Sequence, residues 1–273
     1  YYRFNKIYLN KVWLKPFLSL IFATQIYILL AETNTTVTTT GKELYGYQKD
    51  ALQEIFRRFD DAPKDYHLLY QLPTGGGKTV IFSEIVRRYL EKFKKKVLVL
   101  THRIELSKQT SKMLDEFGVT TKIINSTAKL DDQHEFDCFV AMVETLKNRL
   151  NDDKLDISDI GLVIVDEAHY NSFTKIFKFF DQSFILGVTA TPLSSNIKLP
   201  MYENYQELFV GETIQHLIES GYLASANMYS YNVGLTSLEV GANGDYTVKS
   251  SEDLYTNSDM LTKLVSAYEE TAK

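Results

Sequence analysis

The chain has 273 residues, a formal net charge of −5, 44% hydrophobic residues and 24% charged residues. That composition excludes collagen-like, low-complexity and wholly disordered classes, and the length accommodates one large domain or two small ones. A single cysteine, Cys138, excludes an internal disulfide and reads as a plain intracellular thiol, while the acidic balance argues against partners held by bulk positive charge and leaves a local basic track open.

The first forty residues differ in character from the rest. Arg3, Lys6, Lys11 and Lys15 precede an apolar run over residues 17–31, followed by a Thr-rich linker over residues 35–40. A basic start and an apolar stretch are what a signal peptide shows. Against that, no A-x-A cleavage pattern follows, Thr24 and Gln25 break the run, and it is shorter than the roughly 20 residues of a membrane span. Residues 1–40 are therefore expected to be an extension outside the working domain, with a signal or anchor as the alternative.

From residue 41 helices and strands alternate. Leu52, Ile55, Phe56 and Phe59 recur at helical spacing and predict a helix over 47–60; the apolar run 67–71 predicts a strand. A helix follows over 78–94, its end loaded with Arg87, Arg88, Lys92, Lys94, Lys95 and Lys96, which the helix dipole favours and which reads as a solvated face. Then come a strand at 97–100, a helix at 105–117 and apolar strands at 139–142, 162–165 and 184–188. Continuous apolar strands between helices predict a doubly wound α/β fold, its parallel sheet covered on both faces. Beyond it, a helix starts near 213, a Tyr-rich strand-like run lies at 228–233, a turn at 241–244, and a last helix carries Met260, Leu261, Leu264, Val265 and Tyr268. The predicted organisation is an extension (1–40), a nucleotide-binding domain (41–212) and a trailing subdomain (213–273).

Where the first strand ends, Pro73-Thr74-Gly75-Gly76-Gly77-Lys78-Thr79 forms a phosphate-binding pattern. Glycines let successive N–H groups turn inward, and the next helix presents its positive end. Lys78 is placed to reach the β- and γ-phosphates and Thr79 to ligate Mg²⁺, although Leu72 stands where the strict pattern has glycine. Downstream, four apolar strand residues deliver Asp166-Glu167 to a strand's carboxyl end, where α/β sheets place ligand groups. Asp166 suits Mg²⁺ and Glu167 suits an attacking water. Together the two elements predict a site that hydrolyses a nucleoside triphosphate with Mg²⁺, which the resemblance below implies is ATP.

Three segments then occur in a familiar order: Gln71-Leu72-Pro73-Thr74-Gly75-Gly76-Gly77-Lys78-Thr79, Asp166-Glu167-Ala168-His169, and Thr189-Ala190-Thr191-Pro192. This resembles a superfamily 2 helicase of the DEAH-box type, most like RadD-type and XPB-type DNA helicases and type I restriction motors. The resemblance implies a RecA-like ATP-binding lobe, with Gln48 at the adenine edge and Thr74, Gly75, Gly76 and Gly77 around the phosphates. It also implies that His169, Thr189 and Thr191 couple hydrolysis to nucleic-acid binding, and that the segments around His102-Arg103 and Thr145 follow a nucleic-acid backbone. Arg103 near a helix start opposes the dipole, which favours phosphate contact over a structural role. His102 reads equally as a surface histidine, Thr145 as a helix-start hydroxyl and His169 as a core histidine. Tyr47 reads as core or as an adenine neighbour, and His134 and His216 as surface residues.

Superfamily 2 motors carry a second RecA-like lobe that supplies arginine fingers, and nothing after Pro192 resembles that motif. The expectation is the first lobe of a cytoplasmic, bacterial or phage-type DNA-dependent ATPase, helicase or translocase. Its expected partners are nucleic acid, DNA ahead of RNA, and a second lobe C-terminal to this segment, with no stable membrane association. The alternatives are an RNA helicase and a non-hydrolysing ATP-dependent nucleic-acid-binding module.

Overall fold

The computed structural model describes residues 43–151, 156–194, 198–225, 237–241 and 246–271. The N-terminal apolar run, the Tyr-rich run and most of the predicted turn lie outside the described residues. Two compact units divide between Leu217 and Ile218.

The first unit is a seven-stranded sheet of β1 (His67–Gln71), β2 (Lys96–Thr101), β3 (Thr121–Ile124), β4 (Cys138–Met142), β5 (Ile160–Asp166), β6 (Phe184–Thr189) and β7 (Glu207–Val210), in the order β3-β4-β2-β5-β6-β1-β7. All six pairings are parallel. Every strand therefore ends at the same edge of the sheet, which is what gathers separate segments of sequence into one site.

Helices cover both faces, as the unbroken apolar strands require. On one face lie α1 (Gly46–Asp61), α2 (Lys78–Phe93) and α3 (Ile104–Glu116), packing Leu52, Ile55, Ile81, Ile85 and Leu114 against Leu68, Val97, Val99, Leu162 and Ile164. On the other, α4 (Val143–Asn151) and α5 (Thr174–Phe177) pack Leu146, Leu150, Ile176 and Phe177 against Leu98, Leu100, Val163, Val165 and Ile185. Neighbouring strand residues face opposite layers because the side-chain period of a strand is two. Burying each such side chain contributes about 1.5–3 kcal/mol, so the central strands anchor the site edge.

The strand predictions hold at the sheet's centre and miss at its rims. β3 and β7 flank the sheet with mixed burial, so their apolar signal is thin. Short helix α6 (Ile214–Glu219) begins where predicted, and Cys138 is fully buried within β4. His134 and His216 are exposed, the latter paired with Glu212.

The second unit, by itself, holds α7 (Val248–Tyr255), α8 (Ser258–Thr271) and an antiparallel bridge between Val240 and Tyr246. Thr247 caps α7 by accepting from the Ser250 amide, and Glu239 donates its own amide to the Ser250 hydroxyl. Of the apolar residues that predicted the last helix, Met260 is buried and Leu261, Leu264, Val265 and Tyr268 are exposed. Among the described residues no helix is long and apolar enough to cross a membrane.

Candidate functional site

The loop after β1 runs straight into α2, with Gly75 at φ 83° and Gly77 at φ 81°, both left-handed. Gly77 is the N-cap of α2, and no side chain caps the helix. The first N–H groups of a helix have no partner within it, so here they are directed at an external acceptor, aided by the helix dipole. Gly76 is needed for packing: a Cβ there would lie 2.8 Å from Leu72 Cγ. Leu72 is fully buried, so the residue departing from the strict pattern serves as the apolar floor of the loop.

The loop is also held from α1. Tyr47 Oη donates to the Gly76 carbonyl at 2.8 Å, and Gln48 Nε2 donates to the same oxygen at 3.4 Å. Gln48 Oε1 in turn accepts from the Tyr45 amide at 3.0 Å, and Gln48 is only 3% exposed. Thus Gln48 lies beneath the loop with its amide engaged. Tyr47, read from sequence as core or adenine neighbour, packs against the core and fastens the loop. Thr74 and Gly75 are exposed at the loop's crest, and Thr79 is half-buried in the first turn of α2.

Across the edge, β5 ends at Asp166 and Glu167 follows with φ 51°, a left-handed conformation that costs a non-glycine residue about 1–3 kcal/mol. The turn is fixed by two backbone bonds, Ala168 N to Val188 O at 3.0 Å and Tyr170 N to Glu167 O at 3.1 Å. The Glu167 carboxylate sits between Lys78 Nζ at 3.9 Å and His169 Nδ1 at 3.3 Å. His169 Nδ1 also lies 3.0 Å from Thr189 Oγ1, which donates to the Thr191 carbonyl at 3.2 Å and accepts from the Thr191 amide at 3.2 Å. A proton on His169 Nδ1 would serve both the Thr189 hydroxyl and the Glu167 carboxylate as acceptors. Leu72 N donates to Thr189 O at 3.0 Å, tying the phosphate loop to the end of β6.

Asp166 is 8% exposed and accepts from the Glu167 amide at 3.1 Å. Burial, and then the neighbouring Glu167 charge, push its carboxyl up to about 6, with Lys78 and that amide pulling the other way. The folded state thus holds the proton more tightly than the unfolded chain. The resulting stabilisation is complete below about 3.8 and is lost as pH rises through about 6, leaving a buried anion that costs about 3 kcal/mol at neutral pH as an upper figure. Asp166→Asn keeps the acceptor oxygen and removes the charge. Its melting temperature without nucleotide is expected to exceed wild type by about 2–8 °C at pH 8, with the gap closing by pH 4, as calorimetry would check.

The nucleic-acid candidates lie along the same edge. Thr101, at the end of β2, donates to Arg103 O at 3.2 Å and bonds Ser107 Oγ at 2.7 Å, fixing the turn into α3. Arg103 is the exposed N-cap of α3. Its neighbour His102 is half-buried; burial and then Arg103 hold its pKa below the ordinary histidine value, with Glu167 opposing them. Thr145 is half-buried in the first turn of α4. Lys78, Asp166, Glu167, His169, Thr189 and Thr191 therefore form one linked cluster, while Arg103 and Thr145 begin helices farther along the edge. Sequence reasoning missed Tyr170, whose ring packs against those of both His102 and His169; an aromatic following the acidic motif was its only trace.

Residues 41–194 match the family model described as "Type III restriction enzyme, res subunit". The chain is 34% identical over 164 residues to "Putative ATP-dependent helicase IRC3" of Saccharomyces cerevisiae, covering 54% of this chain and 23% of the relative. It is 26% identical over 202 residues to "ATP-dependent DNA helicase uvsW" of Enterobacteria phage T4, covering 69% of this chain and 38% of the relative. The chain thus spans well under half the length of these relatives. The structure of a nuclease-deletion mutant of the type ISP restriction-modification enzyme LlaGI with a DNA substrate mimic shares the fold, at TM-score 0.54 and 20% identity, over 66% of this chain and 21% of that one.

Proposed function

The chain belongs to the family described as type III restriction enzyme, res subunit, and from that premise we propose that it is the ATP-binding lobe of a superfamily 2 DNA-dependent ATPase that moves along or unwinds nucleic acid. The observation that carries this reading is the Lys78–Glu167 contact at 3.9 Å, which sets the phosphate loop's cation beside the carboxylate that would activate water.

The site residues divide the work as follows. The uncapped amides of α2 and the loop around Gly75 and Gly77 bind the triphosphate. Lys78 leaves Glu167 for the β- and γ-phosphates and neutralises charge there. Glu167, released from that ion pair, accepts the proton of the attacking water while His169 and Thr189 hold its orientation. Tyr47 and Gln48 hold the loop through the Gly76 carbonyl, which leaves its amides to the phosphates, and Gln48 would lie near the adenine.

Thr79 and Asp166 offer a hydroxyl and a buried carboxylate, the oxygen donors a magnesium ion takes. Among the described residues no group of three or more His, Cys, Asp or Glu could cage a metal. Thr79 and Asp166 would hold such an ion, which would supply positive charge to neutralise the phosphates. Arg103, His102 and Thr145 would grip the nucleic-acid backbone in the cytoplasm, and a second RecA-like lobe would supply the arginine fingers.

Phosphate release with Mg-ATP, alone and with single-stranded DNA, duplex DNA or RNA, tests the reading. Lys78→Ala should weaken Mg-ATP binding about 10–10²-fold, the range of a lost charged hydrogen bond, and abolish stimulation by polymer. Unchanged nucleotide affinity in that variant would sink the proposal. Stimulation confined to RNA would replace DNA with RNA as the track; DNA is favoured here because the phage T4 relative carries a DNA helicase name.

A further inference from the structure

The Tyr170 ring packs, tilted, against two histidines from different parts of the site. His102, in the loop after β2, has its ring centroid 4.5 Å away at an interplanar angle of 34°. His169, beside Glu167, lies 4.3 Å away at 37°. The Tyr170 amide also closes the turn that holds Glu167 in its left-handed conformation. His102 Nδ1 is buried with no hydrogen-bond partner among the described residues, so the packing holds this ring where the nitrogen has lost water and gained nothing polar in return. Its neighbour Arg103 is the exposed residue of that loop, and its carbonyl is bonded by Thr101 and Ser107. A shift of the loop therefore reaches Tyr170 through packed rings, and reaches Glu167 through the turn and through His169.

We propose that Tyr170 is a positioning residue that transmits occupancy of the His102–Arg103 loop by nucleic acid to the orientation of the Glu167 carboxylate. This rests on the nucleic-acid reading given above. The polymer's phosphates draw Arg103, His102 moves with it, and the packed rings turn His169 and Glu167 together toward the attacking water. Tyr170 touches neither nucleotide nor polymer in this scheme. Tyr170 is 36% exposed, so truncation opens the site to solvent instead of leaving a sealed cavity, and a small stability cost is expected.

The test measures Mg-ATP hydrolysis by the protein with and without poly(dT), alongside poly(dT) affinity by fluorescence anisotropy, for wild type, Tyr170→Ala and Tyr170→Phe. Aromatic packing of this kind corresponds to about a threefold to tenfold effect, so Tyr170→Ala should lower the polymer-stimulated kcat by that factor. Affinity for poly(dT) should stay at the wild-type value, and Tyr170→Phe, which keeps the ring, should restore stimulation. A merely structural role would lower hydrolysis by the same factor with and without polymer, and that result overturns the inference. So does weakened poly(dT) binding at unchanged stimulated kcat, or a phenylalanine variant as defective as alanine; either leaves the ATPase reading standing. Wild-type hydrolysis indifferent to poly(dT), duplex DNA and RNA overturns this inference, and nucleotide affinity unchanged in Lys78→Ala overturns the proposed function itself and this inference with it.

Discussion

Glu167→Gln is expected to slow ATP hydrolysis about 10²–10⁴-fold, the usual range for removing a positioned general base, while leaving nucleotide affinity close to wild type. Glutamine has nearly the same shape, so the turn at φ 51° and the two backbone bonds that hold it are unaffected. What disappears is the carboxylate lying between Lys78 and His169. Lys78 then loses its ion pair with Glu167, so binding should hold or tighten slightly. Single-turnover hydrolysis and binding of a fluorescent ATP analogue separate the two. A parallel loss of both would mean that Glu167 shapes the loop and does not activate water. The substitution also removes the charge that is the second cause of Asp166's raised pKa, so the Asp166 titration should move downward, toward its ordinary value, in the same variant.

Gly77→Ala should destabilise the fold by about 2–4 kcal/mol and weaken ATP binding at the same time. Two separate costs meet at this position. At φ 81° a Cβ is crowded by its own backbone, a penalty of about 1–2 kcal/mol. The added atom would also stand 2.5 Å from Gln48 Nε2, an amide that is buried and already bonded to Gly76 and Tyr45. Gln48 cannot retreat without releasing the loop. Chemical denaturation of Gly77→Ala in wild-type and Gln48→Ala backgrounds separates the two costs, because only the second depends on Gln48. Equal penalties in both backgrounds would place the whole effect in the backbone.

Much of the first unit was legible because its central strands are buried on both faces and so read as unbroken apolar runs. The runs that predicted β1, β5 and β6 end where the phosphate loop, Asp166-Glu167 and Thr189 begin. The edge strands β3 and β7 were not legible. Each is four residues long and only partly buried, so neither run nor alternation rises above the surrounding loops. The apolar residues that marked α8 as a helix are mostly exposed, with only Met260 and Ala267 of that helix buried, because periodicity reports a face and not what covers it.

By itself, then, the sequence determined the chemistry available: a glycine-rich loop with its lysine and hydroxyl, and paired carboxylates delivered by an apolar strand. Those choices follow from local requirements of backbone conformation and charge, and local requirements are written in neighbouring residues. Only the tertiary structure decided which groups act on one another. Parallel pairing of β1 beside β6 and β6 beside β5 brings Lys78 to Glu167 and His169 to Thr189. Packing of α1 over the loop turns Gln48 and Tyr47 into its fasteners, and the turn after β5 sets Tyr170 against His102. Such contacts join residues far apart in the chain, and they arise from strand order and register, to which no single segment of sequence is bound.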